Sequence, residues 1–236
     1  VAAWFLSLKV PVLMREHADR VNFVNGALGI TFGALLTGLA AISIPEWKDE
    51  RSLNLSALRV SPNSARSHCF YVTSIYKETF TQLKTKEEKA PWVDTMEYHI
   101  NKSLEIYPNY GAALIMKAAV DAARFEQDGQ LDKLFHGFEI VLEKIPYNTN
   151  VRSFIDQYLD YLGSSNPEKY LAFCYRVGYL QYYKKLKDAK TGLHFMEFAL
   201  KRQWEDKRTY ESAAEIYQAL GDGQRADAMR AKAAAL

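Results

Sequence analysis

Ser103-Leu104-Glu105-Ile106-Tyr107-Pro108-Asn109 closes one run of helical periodicity and opens the next. The same arrangement, a small or medium residue, Leu, three spacers and Pro, recurs in Ala57-Leu58-Arg59-Val60-Ser61-Pro62 and in Val141-Leu142-Glu143-Lys144-Ile145-Pro146. Proline lacks an N–H and clashes with the preceding turn, so it belongs at helix starts and just past helix ends. Beyond Glu46 the prolines are Pro62, Pro91, Pro108, Pro146 and Pro167, and each is expected between periodic segments, never inside one. This punctuation predicts helices near 47–60, 64–83, 91–107, 110–127, 130–145, 149–163, 167–186, 188–203, 207–220 and 222–235. Thr81 to Ala90 reads as a charged extension or loop before Pro91, and 149–163 has no obvious partner helix.

Pro62 to Pro108 spans 46 residues and Pro108 to Pro146 spans 38, near the roughly 34-residue period of tetratricopeptide repeats with insertions. Tyr210-Glu211-Ser212-Ala213-Ala214-Glu215-Ile216-Tyr217-Gln218-Ala219-Leu220-Gly221-Asp222, followed by Ala226 and Ala233, resembles that family in its aromatic, small and glycine positions. Tyr170 to Ala199, with Gly178, Tyr182, Gly192 and Ala199, is similar with a two-residue slip. The resemblance implies a right-handed superhelix of stacked helix pairs, each burying the apolar face its neighbour leaves open. The Ala-rich stretch Gly223 to Leu236, with its Arg and Lys turned outward, is expected to cap the stack.

The chain divides at its most apolar stretch. Val21 to Pro45 are 25 residues without a charge, and a helix of that length crosses about 30 Å of hydrocarbon with some tilt. The expected fold is therefore all-α: a membrane helix or helical hairpin at 1–45, then a tetratricopeptide-repeat domain at 46–236. Val1 to Met14 reads as the end of an earlier helix and residues 15–20 as a hairpin, as in the C-terminal part of a longer polytopic protein. Gly29 and Gly33 have the spacing that lets membrane helices approach one another closely. Arg15 and Arg20 are balanced by Lys48 and Arg51 beyond the span, so the flanking charges do not fix orientation. With 30 Lys and Arg against 28 Asp and Glu, there is no electrostatic case for nucleic acid.

The junction Ile44-Pro45-Glu46-Trp47-Lys48-Asp49-Glu50-Arg51-Ser52-Leu53, then Ala57-Leu58 and Ser61-Pro62-Asn63-Ser64-Ala65-Arg66, resembles the transmembrane and tetratricopeptide-repeat O-mannosyltransferase family and its bacterial relatives. There a Trp-Lys-Asp/Asn-Glu start leads from the last membrane helix into the repeats. Ala18-Asp19-Arg20-Val21-Asn22-Phe23-Val24 is similar to the segment before that family's final membrane helices, with Val24 in place of its Pro. The resemblance implies a sugar transferase using a polyprenyl-phosphate donor at the outer face, with the repeats recognising the acceptor on that side. For a bacterial chain this means the inner membrane and periplasmic repeats. The family's catalytic carboxylates belong to an early loop, so none is carried over.

Other chemistry is sparse. His17, His68, His99, His136 and His194 have no His at the third or fourth position along and no nearby Cys, so no metal site is expected. Cys69 and Cys174 are expected as buried thiols. No phosphate loop or hydrolase nucleophile motif occurs, and no cofactor or catalytic residue is assigned. Tyr175, Tyr179, Tyr182 and Tyr183 share one side of a helix, either facing a partner groove or packed in the core. Arg20 at the membrane boundary either holds a lipid phosphate or snorkels beside Asp19. Two functions follow: a membrane-anchored scaffold binding a protein or peptide partner, or the acceptor-recognition arm of a polytopic glycosyltransferase.

Overall fold

The computed structural model describes residues 18–163 and 166–236, apart from the side chains of 18–23 and Ser43. The expected helix end at 1–14 and hairpin residues 15–17 lie outside the described residues, whereas 18–20, expected in the hairpin, are helical. Two compact units divide at Arg59 and Val60.

The first unit holds α1 (Ala18–Ser43), a 3-10 turn (Ile44–Trp47) and most of α2 (Glu50–Val60). In α1, Val24–Ile42 forms a 19-residue apolar stretch with none of its span buried, so this helix is long and apolar enough to cross a membrane. The Thr31 and Thr37 hydroxyls donate to the Ala27 and Gly33 carbonyls at 2.8 Å, which leaves those polar groups satisfied within the helix. The helix stops at Ser43, short of the expected Pro45, because proline disfavours α geometry in the residue before it. Trp47 follows with 71% of its surface exposed. Asp49 then accepts from the Ser52 amide at 2.6 Å, and that bond holds its carboxyl below the usual carboxylate range.

The second unit is helical throughout, and the described residues contain no strand. It runs α3 (Ala65–Glu78), a 3-10 turn (Phe80–Gln82), α4 (Lys86–Ile106), α5 (Gly111–Asp128), α6 (Leu131–Lys144) and α7 (Thr149–Leu162). Then come α8 (Pro167–Cys174), a π-helical segment (Tyr175–Lys185), α9 (Ala189–Lys201), α10 (Lys207–Ala219) and α11 (Gly223–Ala234). Side-chain caps start most of them: Ser64, Thr85, Asn148, Asn166, Asp188, Asp206 and Asp222 each accept from an amide in the first turn.

One helix start departs from the sequence expectation. Pro91 lies inside α4, and residues 86–90 are helix rather than loop. Thr85 and Glu88 form a reciprocal capping box, each side chain accepting from the other's end of the turn at 3.1–3.2 Å. Pro91 removes the amide that would bond the Glu87 carbonyl, but Glu87 lies on an exposed turn where water solvates it.

Helices pack on their sequence neighbours, as α3 on α4 and α10 on α11, and on the next but one, as α3 on α5, α5 on α7 and α6 on α8. The partnerless 149–163 thus finds partners: Val151, Ile155, Leu159 and Leu162, at steps of four, four and three, are buried with Phe138, Phe173 and Phe195. A second cluster gathers Val72, Ile75, Val93, Met96 and Ile100, and a third Ala213, Tyr217 and Ala226. Cys69 and Cys174 are buried free thiols, as expected, and burial pushes the Cys69 thiol up to about 11.

Candidate functional site

The tyrosine-rich helix begins at Pro167, where proline's missing amide costs nothing, and Asn166 accepts from the Lys169 amide at 3.2 Å. From Tyr175 to Lys185 the helix widens into π geometry. Its last amides reach back five and six residues, Leu186 to the Gln181 carbonyl and Asp188 to the Tyr182 carbonyl, both at 2.9 Å.

The wider turn redistributes the four tyrosines. Tyr175, Tyr179 and Tyr183, at steps of four, form a half-buried ladder, with ring centroids 5.2 and 5.7 Å apart. Tyr182 does not share that face. Three residues fall further short of a full turn in a π-helix than in an α-helix, so Tyr182 rotates into the core. It is fully buried and stacked on Phe195 at 5.4 Å, its hydroxyl donating to the Pro146 carbonyl at 2.6 Å. The expectation that Tyr182 faces a partner is corrected accordingly.

Gly178 and Gly192 allow the π segment to lie against α9. A Cβ on Gly178 would stand 2.7 Å from the Gly192 carbonyl oxygen, and one on Gly192 the same distance from the Gly178 oxygen. Both neighbours are backbone, so neither helix holds even alanine at the crossing without moving.

One carboxylate organises the ladder. Glu215 of α10 accepts from the Tyr179 hydroxyl and from Lys184 Nζ, and from the Tyr183 hydroxyl at 3.3 Å. Lys184 chiefly, then Tyr179, holds the Glu215 carboxyl below the usual range. Burial, then Glu215, raises the Tyr179 phenol. Lys184 Nζ lies 5.0 Å from the Tyr179 and Tyr183 ring centroids, and the Arg208 guanidinium lies 4.6 Å from that of Tyr175. The result is an aromatic strip with cations along it and an acidic anchor, suited to stacking or hydrogen bonding with an extended chain. Tyr175 alone of the three makes no hydroxyl hydrogen bond among the described residues.

Sequence reasoning missed Glu215, although it lies within the quoted stretch from Tyr210 to Asp222, because its partners are more than thirty residues away. It also missed the pairing of His68 with His99, whose Nδ1 atoms lie 2.8 Å apart across α3 and α4. His68 Nε2 donates to the Pro62 carbonyl at 2.9 Å, so in the neutral pair His68 Nδ1 accepts from His99 Nδ1–H. Among the described residues no three metal-ligating side chains converge. The surroundings of Gly29 and Gly33 are open, with nothing within 4 Å of a Cβ placed there. The Arg20 side chain lies outside the described residues.

No protein-family model matches the chain, and no curated protein matches it.

Proposed function

We propose that the chain is a membrane-anchored helical-repeat scaffold, of tetratricopeptide type, that binds a protein or peptide partner close to the membrane. The observation that carries this reading is α1. An apolar helix of spanning length without burial is tolerated in water only at a cost of tens of exposed methylenes, and lipid removes that cost. The helical array beyond Val60 supplies the recognition surface, and the ladder Tyr175, Tyr179 and Tyr183 is the docking strip on it. Large rings with two rotatable bonds give contact area at little entropic loss. In a bacterial cell the array would face the periplasm.

The junction from Ile44 to Arg66 supports a second reading, through its resemblance to the O-mannosyltransferase family. On that reading the strip holds an acceptor polypeptide for a glycosyltransferase that uses a polyprenyl-phosphate sugar.

A photo-crosslinking residue at position 183 tests the docking strip in intact membranes. A discrete adduct is expected, reduced several-fold by Tyr175→Ala. An adduct pattern unchanged by that substitution would move the docking role to another surface.

A further inference from the structure

Between α7 and α9 lies a polar pocket of about 340 Å³, lined by Thr149, Arg152, Ser153 and Asp156 on one side and by Lys190, Thr191 and His194 on the other. Two residue pairs bridge it: an Arg152 N–H donates to the Thr191 hydroxyl at 3.3 Å, and His194 Nε2 meets both Asp156 oxygens at 3.0 Å. Arg152 is half-buried, yet among the described residues it carries no ion pair and uses one of its five donors. Arg124 and Arg176, in the same array, each hold a carboxylate at 2.6 and 2.7 Å. Lys190 is exposed at the rim and is likewise without an ion pair among the described residues.

Of the carboxylates nearby, Asp156 lines the pocket itself but is partnered within it, and Asp188 is engaged in a helix cap. Asp156 is held by His194, and Asp188 caps α9 by accepting from the Thr191 amide at 3.0 Å. The pocket therefore offers a forked guanidinium and the Thr149 and Ser153 hydroxyls from α7, and an ammonium and the Thr191 hydroxyl from α9. A planar carboxylate is satisfied by the fork alone. A tetrahedral oxyanion reaches donors on both walls.

We propose that this pocket binds a phosphomonoester, presented by a small molecule or by a phosphorylated side chain. The inference stands on the pocket and is independent of the membrane and docking readings.

The test uses the full chain in detergent with inorganic phosphate as probe, read by thermal shift and calorimetry against chloride at matched ionic strength. Saturable binding in the millimolar range is expected, weakened about tenfold or more in Arg152→Gln. Lys190→Gln, at an exposed position, leaves the fold intact and should weaken binding several-fold, so the proposal is tested even if the Arg152 variant folds poorly. A phosphoserine peptide that displaces phosphate, where its unphosphorylated form does not, identifies a phosphorylated side chain as the source; displacement only by small phosphomonoesters identifies a free ligand. A stabilisation no greater than chloride gives, or one that both variants retain in full, means an adventitious ion only and overturns the proposal.

Discussion

At the scale of single residues, the glycines at the crossing of the π segment and α9 are the sharpest case. Gly178→Ala and Gly192→Ala each force a methyl against a carbonyl oxygen 2.7 Å away, and overpacking of this kind costs about 1–3 kcal/mol. Both variants should melt several degrees lower, while Gly111→Ala, with nothing within 4 Å, should melt at or slightly above the parent. The histidine pair gives a pH signature. Burial, then the neighbouring His68, pulls His99 down to about 4 from its ordinary 6.5. The unfolded chain therefore binds the proton first. Stability is complete above about pH 6.5 and declines as pH falls towards 4. Urea midpoints across that range should fall less steeply for His99→Gln, and equal slopes would remove the pair from the account. Neither feature was legible in the sequence: Gly178 and Gly192 stand out only as small positions, and nothing marks His68 and His99, 31 residues apart, as neighbours.

At the scale of elements, helix positions were largely legible, because apolar periodicity and capping residues act locally. Pro91 shows where that logic fails. A strong capping box, with its Thr85 six residues upstream, overrides a proline that the helix tolerates on its wet side. The π segment shows a second limit, since residue spacing alone assumes an α turn. It placed Tyr182 beside Tyr179 and Tyr183, and the wider turn separated them. Truncation should distinguish the two faces. Tyr182→Ala removes a fully buried ring and should cost about 3–5 kcal/mol. Tyr175→Ala should leave the melting temperature within a few degrees and weaken partner binding roughly 5- to 150-fold, as loss of an anchoring ring does. Full binding by a stable Tyr175→Ala protein would make the ladder a packing seam between the π segment and α10.

At the scale of the molecule, two kinds of helix coexist in one chain. Those beyond Val60 each bury one face against neighbours, and the Val24–Ile42 stretch of α1 buries none. An uncharged run of 25 residues announces that difference directly in the sequence. The function does not follow so directly, because function lives in surface sites rather than in the array, and no periodicity encodes contacts such as those of Glu215 and Arg152. Everything proposed for the strip near the membrane depends on α1 spanning it. The measurement is alkaline carbonate extraction of membranes carrying the full chain, alongside a Leu35→Arg, Leu36→Arg variant. Each arginine at mid-span costs about 2.5–3.5 kcal/mol of insertion. The parent should remain in the pellet and the variant should move substantially into the wash, whereas release of the parent itself would contradict the anchored scaffold.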